Sequence, residues 1–123
     1  MTEAVILVDH GSRAPEAAAS LDEMVGLVQK QRPEILVLAA HMEIAPPSIE
    51  EALQQCVTQG ARRVTVVPYF LAPGRHIAED IPALVQTAAA RHPQTEVHLA
   101  PPLGVHTKLA EVILERLEES TKI

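Results

Sequence analysis

Four of the six histidines stand within a few residues after an apolar run, each among residues able to do chemistry. His10 lies in Asp9-His10-Gly11-Ser12-Arg13 and His41 in His41-Met42-Glu43. His76 ends Tyr69-Phe70-Leu71-Ala72-Pro73-Gly74-Arg75-His76, and His106 ends Pro101-Pro102-Leu103-Gly104-Val105-His106. His92 and His98 stand elsewhere, beside Pro93 and inside an apolar run. Imidazole titrates near neutrality and is the commonest metal ligand. Two histidines and a carboxylate on converging loops suit a divalent-metal site or an acid/base site. Gly11 and Gly74 let the backbone turn sharply or approach a ligand. Arg13 and Arg75 are natural docks for carboxylates, because a guanidinium offers paired donors.

Each residue also has a plainer reading. His41 either ligates or faces a helix, and His106 either functions or caps the last helix. Glu43 is a site acid or a solvated loop acid. Asp80 reads as a cap before Ile81-Pro82, or as a carboxylate that orients a histidine. Cys56 falls on the apolar stripe of a helix and reads as a core thiol. Tyr69 and Phe70 straddle a strand end, one for the core and one for a pocket. The chain has no G-x-x-x-x-G-K-[ST] loop, no G-x-G-x-x-G and no G-x-S-x-G. A His-Gly pair after the first strand is also found in histidine phosphatases as Arg-His-Gly. Here Asp9 replaces that arginine and would repel a phosphate.

These residues need a scaffold that brings them to one edge. Four apolar runs, at residues 4–8, 35–40, 64–68 and 97–100, read as strands. The first three are nearly continuous, as expected when helices cover both sheet faces. Helical spacing recurs in Leu21, Met24, Val25 and Val28, then in Ile49, Ala52, Leu53 and Cys56. It returns in Ile81, Leu84, Val85 and Ala88, and nearly in Leu109, Val112, Ile113 and Leu117, so each helix carries one apolar stripe. Ser48 and Glu51 form a capping box. Gly60 suits a helix C-terminus, Pro82 a first turn, and Pro33 closes the first helix. The order is β-α-β-α-β-α-β-α, an α/β domain with a four-stranded parallel sheet and helices on both faces. In such sheets ligands bind beyond the carboxyl ends of the strands, where the four histidine segments fall. The small sheet has open edges, a reason to expect a partner subunit.

Composition bounds the rest. The 123 residues make one domain, 1–123, with no linker or low-complexity segment. Hydrophobic residues are 47% and charged residues 21%, which argues against a disordered chain. Sixteen acidic against ten basic residues, and only Tyr69 and Phe70 as aromatics, argue against nucleic acid. The single cysteine cannot form an internal disulfide. No apolar run nears the roughly 20 residues of a membrane span. Ala4–Val8 follows no basic leader, so a cytoplasmic protein without a signal peptide is expected.

The motifs together resemble the small sirohydrochlorin chelatases of the CbiX/SirB type. His10-Gly11-Ser12-Arg13 resembles their H-G-S-R signature. Phe70-Leu71-x-x-Gly74-x-His76-x-x-x-Asp80-Ile81-Pro82 resembles the second signature at every fixed position. Glu43 followed by Pro47-Ser48-Ile49 resembles their E-x-x-x-P-S-I segment, and Pro102-Leu103-Gly104 their last loop. The resemblance spans the chain in order. It implies a flavodoxin-like chelatase lobe that inserts a divalent metal into sirohydrochlorin or a close precursor without ATP. The metal would be Co²⁺ for cobalamin, or Ni²⁺ or Fe²⁺, as substrate, with no organic cofactor. His10 and His76 would hold it, with His10 as the base for the pyrrole protons. Glu43 would receive protons or steer the macrocycle. Leu71, Ala72, Pro73, Gly74 and Arg75 would line the ring, and Arg13 or Arg75 would dock its carboxylates. The short form would pair as a homodimer around the cleft. Two positions depart from the pattern. His41 stands where an apolar aromatic is usual and reads as an extra ligand or as neutral. Asp9 stands where a small residue is commoner and is placed to orient His10. A non-catalytic carrier of metal or tetrapyrrole would use the same histidines, and a phosphatase-like hydrolase is the third reading.

Overall fold

The computed structural model describes residues 3–123. Four strands, β1 (Glu3–Asp9), β2 (Leu36–His41), β3 (Arg63–Pro68) and β4 (Glu96–Leu99), form one sheet in the order β2-β1-β3-β4. Every pairing is parallel, with Asp9 opposite His41 and Val8 opposite Pro68 at the carboxyl ends. The helices are α1 (Pro15–Gln31), α2 (Ile49–Thr58), α3 (Arg75–Ala89) and α4 (Thr107–Glu118). The chain steps one way from β1 to β2, then back across β1 to β3. The crossovers therefore reverse between β1 and β3, where an open α/β sheet leaves its crevice.

The apolar runs are continuous because β1 is covered twice. Leu7 packs with Leu21, Ile35 and Val37 under α1, joined by Met24, Val25 and Val28. Ala4, Ile6 and Val8 point the other way, into a larger core with α2 and α3. Ile49, Ala52, Leu53 and Cys56 of α2 and Ile81, Val85 and Ala88 of α3 close that side. Alternate residues of one strand thus feed two cores. The capping box is present, with Ser48 Oγ accepting from Glu51 N at 3.1 Å. Gly60 ends α2 at φ 94°.

Three expectations are corrected. α3 begins at Arg75, so Pro82 lies inside it and Asp80 is no cap. The capping residue is Gly74, which has no side chain to announce a helix, and the first intrahelical bond runs from Ala78 N to Gly74 O at 2.9 Å. Pro82 mimics a start signal because its fixed φ is helical at any position. Tyr69 and Phe70 are both partly buried and pack against the two cores on opposite sheet faces, so both rather than one serve the core. Finally, the stripe of α4 is not buried in this chain. None of its residues joins a core, and Ile113, Leu114 and Leu117 are each more than half exposed.

Candidate functional site at the carboxyl edge of the sheet

The ends of β1 and β2 are zipped past their last paired residues. Met42 N donates to Asp9 O at 2.9 Å and Glu43 N to His10 O at 3.2 Å. This carries the ladder one residue past β1 and two past β2 and sets the side chains of His10 and Glu43 side by side. His10 Nε2 lies 3.0 Å from Glu43 Oε1. Both are about half exposed, so the pair faces an open cleft. Gly11 makes the approach possible. It has φ 101°, and a Cβ there would stand 1.9 Å from Glu43 O. The same carbonyl accepts from Ala45 N at 2.8 Å, closing a three-residue turn about Ile44, whose φ is 74°. A β-branched residue rarely takes that conformation, and the turn directs an exposed isoleucine outward beside Glu43.

The cleft holds about 300 Å³ and is lined by His10, Met42, Glu43, Ile77, Asp80, Ala83 and Leu84. Ile77, Asp80 and Leu84 are one α3 face at i, i+3 and i+7. A groove of about 220 Å³ continues it between α2 and α3, sharing Met42, Ala83 and Leu84.

His76 is exposed in the first turn of α3, one turn ahead of Asp80 and two ahead of Ala83 on the same face. It is not among the residues that line the cleft, and among the described residues no hydrogen bond joins it to His10. Nor do any three His, Cys, Asp or Glu side chains there form a ready-made ion cage. The loop before α3 presents Leu71 at 61% exposure, then Ala72 and Pro73. Gly74 has φ −65° and only open space where a Cβ would stand. Its glycine therefore serves neither chain conformation nor internal packing. Arg13 is exposed. Arg75 is exposed too, with its Nε 3.2 Å from Glu79 Oε1.

The other histidines divide cleanly. His41 is 4% exposed and its Nδ1 lies 2.5 Å from Asp9 Oδ1, so Asp9 orients His41 and not His10. His41 is not among the residues that line the cleft, and its ring is buried on the α1 side against Asp9. His106 is the α4 cap, its Nδ1 accepting from Lys108 N at 3.0 Å. His92 sits in the turn after α3, and His98 pairs with Glu96 on the edge strand. Burial pushes the Cys56 thiol up to about 11, as expected of a core thiol. Sequence reasoning missed Met42, Ile77, Ala83 and Leu84. For the three α3 residues the signal was helical spacing along α3, visible only once the helix is started at Arg75, whereas Met42 carried no such signal.

A doubly wound parallel lobe with a histidine–carboxylate pair over a cleft beside its switch point defines an α/β ligand-binding domain with metal-competent donors. The family can be stated outright: the CbiX family model matches residues 4–120, and the chain belongs to that family. It is 42% identical over 116 residues to the chloroplastic sirohydrochlorin ferrochelatase of Arabidopsis thaliana, covering 94% of this chain and 52% of the relative. It is 31% identical over 123 residues to the sirohydrochlorin cobaltochelatase of Methanococcoides burtonii, covering 94% of each. Among solved structures, the sirohydrochlorin chelatase SirB of Bacillus subtilis subspecies spizizenii in complex with cobalt superposes with a TM-score of 0.86 at 27% identity. That match covers 97% of this chain and 51% of SirB. The chain thus spans about half the length of several relatives and nearly all of others.

Proposed function

We propose that this chain inserts a divalent metal, Co²⁺ first, into sirohydrochlorin without ATP. The carrying observation is the contact of His10 Nε2 with Glu43 Oε1 at 3.0 Å over the cleft. Insertion exchanges one metal ion for two pyrrole N–H protons, so the site needs a ligand and a proton acceptor in reach of each other. One nitrogen cannot hold the metal and take a proton at once. The pair would divide the work: with His10 Nε2 given to the metal, Glu43 loses its hydrogen-bond partner and accepts one pyrrole proton, and the second leaves to solvent at this half-exposed pair. His76, one turn ahead of Asp80 on α3, would be the second ligand, and Asp80 in the cleft lining would add negative charge to attract the metal. The metal is substrate, and no organic cofactor is required.

The backbone from Leu71 to Arg75 lies along the macrocycle, with the open space at Gly74 receiving the ring. The substrate's carboxylates dock on Arg13 and Arg75, the cationic side chains of these two loops, which offset the net charge of −6. A lobe this size leaves half the ring uncovered. A second copy supplies the other half, its contact including the exposed α4 stripe; this is supported by relatives of twice the length. Cobalt is placed before iron because a relative covered over 94% of its length is a cobaltochelatase. The buried thiol, with no disulfide partner, suits work in the cytoplasm.

The test is an anaerobic absorbance time course of sirohydrochlorin with excess Co²⁺, with and without catalytic amounts of protein. Many equivalents of metal complex per protein, faster than the control, support the proposal, and parallel runs with Ni²⁺ and Fe²⁺ rank the metals. No acceleration with any of the three overturns it, and one equivalent per site identifies a carrier.

A further inference from the structure

The pair of buried His41 and partly buried Asp9 is absorbed by none of this chemistry. Asp9 follows Leu7 by two residues and His41 follows Ala39 by two, so both lie on the α1 side of the sheet. They are opposite one another in the last register of β1 and β2. His41 Nδ1 meets Asp9 Oδ1 at 2.5 Å, with the His41 side chain only 5% exposed. His10 and Glu43 emerge from the same two strand ends toward α3 instead. Only backbone joins the two pairs: Met42 N to Asp9 O and Glu43 N to His10 O. Gly11 is wedged between them, its Cβ position 1.9 Å from Glu43 O and 3.4 Å from His41 Cβ. His41 is also tied from its far side, its N donating to Pro47 O at 2.8 Å.

We propose that Asp9 and His41 are positioning residues, a side-chain clamp beneath the strand ends that holds His10 against Glu43 on the opposite side. Past this register only two backbone bonds among the described residues, Met42 N to Asp9 O and Glu43 N to His10 O, hold the two strand ends together. A charge-assisted bond placed in the last register fixes the spacing of the two strands there. Rotation of either end would then displace His10 or Glu43, because each is within two residues of the clamp. The role in metal insertion rests on the proposed function, whereas the effect on His10 placement does not.

The test uses Asp9→Asn, Asp9→Ala, His41→Phe and the double Asp9→Ala/His41→Phe in the full chain. Asp9→Asn keeps an oxygen for His41 Nδ1–H and should keep kcat. Each other single variant buries an unpaired partner and should lower the melting temperature. The double variant removes both polar groups, fills the space with an aromatic ring and should recover the melting temperature. Its kcat should nevertheless stay about tenfold down with KM within about twofold, the usual scale for residues that orient ligands. Its His10 ring-nitrogen resonances should move from those of the wild type, while Asp9→Asn leaves them in place. A double variant with wild-type kcat and unmoved His10 resonances overturns the clamp. A wild type that turns over no metal overturns the proposed function instead, and the His10 resonances still decide the clamp.

Discussion

The carbonyl oxygen of Glu43 occupies the space a side chain on Gly11 would need, 1.9 Å from its Cβ position. No flexible side chain can yield there, since the obstacle is backbone. Gly11 also holds φ 101°, which L-residues rarely adopt. Gly11→Ala therefore must push the β1 and β2 loops apart and break the His10–Glu43 contact. The expected result is a loss of about 2 kcal/mol or more in urea unfolding, with metal insertion reduced at least about a hundredfold. An alanine variant with wild-type stability would show that the two loops part without cost.

Gly74 predicts the opposite pattern. Its φ is −65° and nothing lies within 4 Å of its Cβ position. An alanine fits the chain there, and it narrows the unfolded ensemble by about 0.4–1 kcal/mol. Because glycine is the better N-cap, that gain is offset, and Gly74→Ala should leave the melting temperature within a few degrees of the wild type. If the macrocycle lies against this loop, the added methyl should raise KM for sirohydrochlorin severalfold. Unchanged KM with unchanged stability would move the ring away from Gly74.

The contrast between these glycines marks how far the residue order alone reaches. The elements were legible because each strand of the interior carries apolar residues on both faces and α2 carries a full capping box. The edge location of His10, Glu43 and His76 followed from strand order and parallel crossovers. What stayed hidden is set by partners distant in sequence. His41 and Glu43 are two residues apart on one strand end, yet one faces α1 and the other α3. Only the register with Asp9 and His10 distinguishes buried clamp from site acid. Pro82 concealed the true start of α3, and with it the face of Ile77, Asp80 and Leu84 that lines the cleft.

Cys56 gives a pH prediction. Its side chain is fully buried, and its thiol is raised from the ordinary 9.0 to about 11 because burial disfavours the thiolate. Below pH 9 the thiol is neutral folded or unfolded, and the contribution to stability is fully present. Between pH 9 and 11 the unfolded chain releases this proton while the folded chain keeps it, so stability falls as pH rises through that window. The loss should approach on the order of 3 kcal/mol at its upper end. Urea unfolding of wild type and Cys56→Ala at about pH 8 and about pH 10.5 checks it. The advantage of the wild type should shrink at the higher pH. Parallel losses in both proteins would assign the alkaline sensitivity to other groups.

Helix α4 predicts a second copy. Its Ile113, Leu114 and Leu117 are 68%, 58% and 65% exposed, and no residue of the helix is buried. Twelve residues are too few for a helix to be stable alone in water. On the proposed function a second copy covers this stripe. Ile113→Asp with Leu117→Asp would put two carboxylates into that contact, where desolvation without a partner is costly. Light scattering should show the wild type at twice the chain mass and the variant at one. The wild-type melting temperature should rise with protein concentration, and the variant's should not. Because neither core includes a residue of α4, the variant should keep the sheet and the strand-end zipper. A wild type that runs at single mass at micromolar concentration would rule out the second copy and leave α4 to a different partner.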